Sequence, residues 1–157
     1  MIRLSTIRNK AGVTLIELIV TMAIISVLAV GIIPLSQVSY KRTKEIELKR
    51  NLRIIRKALD EYKQISDEYK LAKSVSDSGY PKQLDVLVEG VELGGEIQSK
   101  KKILRRIPKD PMTEDGQWGL RSYFDEPDSD MWGGQDIYDI YTKSDQTALD
   151  GTLYREW

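Results

Sequence analysis

Lys10-Ala11-Gly12-Val13-Thr14-Leu15-Ile16-Glu17 leads straight into eighteen residues without a charge, Leu18 to Leu35. That run approaches the ~20 apolar residues that a helix needs to span a hydrocarbon core. Adding Val13 to Ile16 makes it long enough, provided Glu17 is accommodated. Glu17 is the anomaly. A carboxylate in a spanning segment costs ~2.5–3.5 kcal/mol at the centre, less near an end, and calls for a partner.

Three readings of the stretch compete. A secretory signal peptide would be cut near Ala29-Val30-Gly31, a small-residue site after the apolar run. A plain signal anchor fits the length and leaves Glu17 unexplained. In the third reading Glu17 has a partner that the segment acquires. Arg3, Arg8 and Lys10 precede Gly12 with no acid among them. Basic flanks stay cytoplasmic, so the residues after the apolar run are expected on the far side of the membrane.

Composition narrows the chemistry. The chain has 157 residues, no cysteine and no histidine. Disulfides, thiol or Ser–His nucleophiles and nearly all structural zinc sites are thereby excluded. A bound metal would be a hard cation held by oxygen. Net charge is zero over 24 basic and 24 acidic side chains, but three of the basic ones lie before Val13. From Asp110 onward Arg121, Lys143 and Arg155 face a dozen acids. That balance is wrong for nucleic acid, and none is expected as a partner. No Gly-rich phosphate loop is present, so the chain hydrolyses no nucleotide itself.

Beyond Pro34, which is expected to bend or locally melt the helix near Val30 to Pro34, the pattern changes. Leu48, Leu52, Ile55, Leu59, Tyr62, Ile65, Tyr69 and Ala72 recur at spacings of three and four, which predicts an amphipathic helix from Ser36 to about Ala72. Lys49, Arg50, Arg53, Arg56 and Lys57 fall on the other face. They read either as a solvated face or as a charged contact with neighbouring subunits. Ser74 to Gly79 is a polar break. Lys82 to Val88 reads as a short helix, and Gly90, Gly94 and Gly95 mark loops. Pro108 and Pro111 hold an extended path. Trp118 to Tyr123, Ile137 to Lys143 and Thr152 to Trp157 read as strands. The expected fold class is α+β: a long N-terminal helix, membrane-spanning then amphipathic, packed on a small domain with a short helix and antiparallel strands.

Gly12-Val13-Thr14-Leu15-Ile16-Glu17-Leu18 resembles the leader-cleavage motif of type IV pilins and of type II secretion pseudopilins. Tyr80-Pro81, the Ile107-Pro108-Lys109-Asp110-Pro111 turn, the aromatic strands and Trp157 are similar to the major pseudopilin of type II secretion systems. The resemblance implies that prepilin peptidase cuts between Gly12 and Val13 and methylates the new amine on Val13. It implies that Glu17 pairs with the N-terminus of an adjacent subunit, and that Pro34 is the kink proline. The physics agrees: an α-amino group with a pKa of about 7.7–8 is largely cationic at neutral pH and can partner the carboxylate.

The organisation implied is a leader over 1–12, a transmembrane and filament-core helix over 13–35, a stalk over 36–73 and a periplasmic domain over 74–157. Function would be that of a structural subunit, not an enzyme, in a pseudopilus that supports protein export across the outer membrane. It would be rooted in the bacterial inner membrane, polymerising with itself and with minor pseudopilins on an ATPase-driven assembly platform. A type IV pilin for adhesion, motility or DNA uptake is the alternative, and a membrane-anchored periplasmic binding domain that never polymerises is a second. No cofactor is required. The resemblance points to calcium at Asp145 and Asp150; the residues alone read equally as a cap and a hairpin turn. Asp125 to Asp130 reads as a solvated acidic loop or as a contact for a neighbour's basic helix face.

Overall fold

The computed structural model describes residues 12–69, 71, 77–93 and 100–157. The chain divides into two compact units, Met1–Tyr40 and Lys41–Trp157. One helix, α1 (Leu15–Glu68), contributes to both.

In the first unit α1 opens where Thr14 stops being helical. The Glu17 amide donates to Thr14 Oγ1 at 3.3 Å, and the Leu18 amide to the Thr14 carbonyl at 3.1 Å. The first bond satisfies one of the donors that a helix start leaves orphaned, and the second is the first regular bond of the helix. The side chains described from Val13 to Leu35 are all exposed. Two polar ones turn back on the helix: Thr21 donates to the Leu18 carbonyl and Ser26 to that of Met22, at 2.9 and 2.8 Å. Hydroxyls satisfied in this way sit comfortably in an apolar medium. The local melting expected near Val30 to Pro34 is not found, because α1 continues through Pro34. Proline removes one donor, and the bonds of the turns on either side remain.

In the second unit the stripe read from the sequence is the core face. Leu48, Leu52, Ile55, Leu59 and Ile65 are buried and Tyr62 is half-buried. Burying a side chain of this kind contributes ~1.5–3 kcal/mol. The stripe ends earlier than expected, since Tyr69 is exposed and α1 stops at Glu68. Ala72 lies outside the described residues. Leu87, Trp118, Ile137, Ile140, Ala148 and Tyr154 complete the core.

Helix α2 (Val86–Glu89) is shorter than the expected Lys82 to Val88. The chain before it is tied elsewhere: the Pro81 carbonyl accepts the Ile137 amide at 2.8 Å, and the Leu87 amide reaches back only to Leu84. Strands β1 (Val91–Glu92) and β2 (Lys100–Lys101) pair antiparallel in a region read as loop. Strands β3 (Trp118–Arg121) and β4 (Asp139–Thr142) pair antiparallel with Gly119 opposite Tyr141. The Tyr141 ring lies across Gly119, where an added Cβ would meet it at 2.3 Å.

The third strand expected over Thr152 to Trp157 is a correction. Only a single bridge forms, between Thr147 and Leu153, and Tyr154–Glu156 is a 3₁₀ turn. The backbone curls because partners on α1 draw it in. Tyr154 Oη donates to Glu45 at 2.9 Å, and the Trp157 carbonyl accepts from Arg56 at 2.7 Å.

Candidate functional site

The N-terminal site is built from Gly12, Val13, Thr14 and Glu17. Gly12 and Val13 precede α1 without helical structure, and Glu17 lies in its first turn. A carboxylate there faces the partial positive charge of the helix start. An added Cβ at Gly12 would meet nothing within 4 Å. Among the described residues, then, nothing packs close enough to Gly12 to demand a glycine there. Glu17 and Val13 are both exposed. The apolar helix that follows is long enough to cross a membrane and has none of its spanning window buried.

Residues 7–33 match the family model described as the prokaryotic N-terminal methylation motif. No curated protein and no solved structure matches the chain. The methylation motif is the mark of type IV pilin-like precursors, pseudopilins among them. The motif implies processing by prepilin peptidase and pilus-like polymerisation, and the family that carries it is structural. Of the motif's residues, Gly12 to Ile33 fall on described backbone, and residues 7–11 lie outside it.

One part of the motif has a local logic that its resemblance did not require. Thr14-Leu15-Ile16-Glu17 has the spacing of a capping box, a hydroxyl residue followed three places later by a glutamate. The structure forms the hydroxyl half of it. The threonine thus starts the helix, and the glutamate remains exposed within its first turn.

Asp145 and Asp150 are brought to one loop but not to one point of coordination. Asp145 is exposed, with Arg155 Nη1 3.6 Å from its Oδ1. Asp150 Oδ1 accepts from the Thr152 amide and hydroxyl at 3.0 and 2.7 Å. These bonds hold its carboxyl below the usual carboxylate range. Gly151, at φ +90°, completes a hairpin turn in which the Ala148 amide reaches the Thr152 carbonyl at 2.8 Å. Among the described residues no three metal-ligating side chains cluster. Calcium takes six to eight oxygens, and a cation at Asp145 would compete with Arg155 for its carboxylate.

The basic helix face divides in two. Lys41 donates to the Thr147 carbonyl at 2.5 Å, Lys49 lies 3.9 Å above the Trp157 ring centroid, and Arg56 grips Asp139. With Glu45, which accepts from the Leu149 amide and Tyr154 Oη, they clamp the last segment of the chain onto α1. A wholly solvated face is therefore corrected for Lys49 and Arg56, which hold partners in the last segment of the chain. The i, i+4 series Lys41, Glu45, Lys49 was the available signal, but its partners lie about a hundred residues away. Arg50, Arg53 and Lys57 stay exposed.

The acidic loop is likewise mixed. Asp125 turns inward to accept the Ser122 and Gly133 amides at 2.7 and 3.0 Å. Glu126 and Asp128 face solvent, and Asp130 lies 3.6 Å from Arg155. Sequence reasoning missed Asp136. It is buried, accepting from the Ser78 and Ser122 hydroxyls and the Tyr123 amide. A carboxylate with three donors can be buried without a counter-cation, and its place in an Asp-rich stretch disguised it.

Proposed function

We propose that the chain is a pseudopilin, a structural subunit of a pilus-like periplasmic filament belonging to a type II secretion system. The observation that carries the reading is Glu17 in the first turn of α1, five residues after Gly12 and at the head of the charge-free run Leu18 to Leu35, whose described side chains are exposed. Before assembly, lipid covers the apolar helix. After it, helices of neighbouring subunits do, and the methylated amine of Val13 neutralises a neighbour's Glu17. An ion pair buried in that way is weak as a source of stability, but it fixes register. Pro34, where one helical bond is missing, is the place for the helix to adjust during that transfer. The platform, its ATPase and minor pseudopilins are the further partners of this reading, with the domain after Tyr40 on the periplasmic side.

Glu17→Ala tests it in cells carrying the assembly machinery. The variant is expected to be processed and to stay in the membrane without entering filaments. Normal filaments would refute the reading.

Calcium at Asp145 and Asp150 is a separate proposal, supported by two carboxylates flanking one turn and by the resemblance. Its obstacle is Arg155, and the metal and the guanidinium are expected to compete for Asp145.

A further inference from the structure

A groove of about 750 Å³ runs between α1 and the segment before Pro108. Its lining includes apolar side chains, the half-buried Ile54 and Ile107 and the exposed Ile46. Its rim is cationic: Arg50, Arg105, Arg106 and Lys109 are exposed, and none has an ion-pair partner among the described residues. Among the described residues Glu47 is the one acid lining it. Four like charges around one groove repel one another unless an anion joins them.

The same chain carries a segment of opposite character. Phe124-Asp125-Glu126-Pro127-Asp128-Ser129-Asp130-Met131 projects Glu126 and Asp128 into solvent, with Phe124 67% and Met131 82% exposed at its two ends. It is firmly built. Asp125 ties down both of its flanks, the Ser129 amide bonds to the Glu126 carbonyl at 3.0 Å, and Arg121 holds the Ser129 carbonyl at 3.0 Å. A segment ordered in advance loses little entropy on docking. None of its residues lines the groove, and neither Glu126 nor Asp128 pairs with the groove's cations.

We propose that the Phe124–Met131 segment of a second copy docks into this groove, its two free acids against the arginine rim and its apolar ends toward the isoleucines that line it. The two surfaces are different patches of one chain, so the contact is heterologous. Contacts of that kind propagate from copy to copy instead of closing in a pair. The inference rests on the filament reading and adds to it a lateral contact between domains, independent of the Glu17 contact between helices.

The absence of native cysteine allows a direct test in the full-length chain during assembly. Arg106→Cys and Asp128→Cys placed together in one chain are expected to yield, on oxidation, a ladder of cross-linked multimers, with neither change alone giving more than a dimer. With the cysteines present, Arg50→Glu and Arg105→Glu together are expected to lower the ladder at least tenfold, and adding Glu126→Arg to restore it. Higher salt should weaken it, as for any exposed charge contact. The altered residues are all exposed, and an unchanged melting temperature checks that they leave the fold intact. No ladder while Glu17-dependent filaments still form overturns the docking and spares the filament reading. No assembly of the unaltered chain overturns both. If the groove serves anionic lipid, the double-cysteine chain gives no ladder and the arginine rim cross-links to photoactivatable phosphatidylglycerol; that result also overturns the proposal.

Discussion

Arg56 holds Asp139 with two prongs, Nε to Oδ1 at 2.7 Å and Nη2 to Oδ2 at 3.1 Å. The same guanidinium donates to the carbonyls of Trp157 and Ile140, at 2.7 and 3.3 Å. One side chain on α1 thus fastens both β4 and the last turn. Isolated surface pairs contribute ~0–1 kcal/mol. Bidentate geometry and two extra carbonyls raise that here.

Arg56→Ala is therefore expected to destabilise the domain by ~1–3 kcal/mol. In a double-mutant cycle with Asp139→Ala, the coupling should be about 1 kcal/mol. Thermal unfolding of the four proteins in detergent measures both. Strict additivity would mean that the pair contributes nothing of its own.

Tyr154 offers a pH signature. Burial, then its hydrogen bond to the Glu45 carboxylate, pushes its phenol up to about 12 from an ordinary 10.0. The folded state thus resists ionisation more than the unfolded one. The stability this confers is complete below pH 10 and is lost as pH rises toward 12. Tyr154→Phe should be less stable at neutral pH, where the bond to Glu45 is gone, and should lose stability less steeply above pH 10. Burial also raises Tyr62 and Tyr80, so a residual slope remains. Parallel pH profiles for the two proteins would contradict the assignment.

Gly119 has no room for a side chain. The Tyr141 ring occupies the space a Cβ would need, and Arg121 covers the ring at 4.2 Å. Gly119→Ala should therefore cost ~1–3 kcal/mol, the range for overpacking. Combined with Tyr141→Ala, the added cost of the alanine should fall, because the obstructing ring is gone. A full penalty persisting in the double variant would place the clash elsewhere.

Calcium can be separated from everything above. If it occupies the Asp145–Asp150 loop, Arg155→Ala removes its competitor. Calcium should then raise the melting temperature of that variant more than of the parent, with chelator reversing the effect. No calcium-dependent shift in either protein removes the metal.

The architecture of α1 and the β3–β4 pair was legible because both depend on local sequence. Leu48, Leu52, Ile55 and Leu59 repeat at helical spacing, and Ile137, Tyr138, Ile140, Tyr141 and Thr142 are residue types that favour strands. What escaped depends on distant partners. Thr152 to Trp157 has strand-like residues, yet Glu45 and Arg56 curl it into a turn. Arg56 looks like any solvated arginine until Asp139 arrives beside it. The β1–β2 pair is two residues long, too short to show alternation, and glycines disguise it. At the N-terminus the methylation motif was legible because it is linear, a glycine followed five residues later by a glutamate at the head of an apolar run.

The central claim is that the amine for Glu17 is made by cutting the chain. The intact mass of the mature protein, purified from cells containing prepilin peptidase, tests this most directly. The expected result is loss of residues 1–12 with one methyl group added, and a first residue of Val13. A chain retaining Met1 to Gly12, or one cut after Gly31 and lacking the apolar helix start, would contradict it.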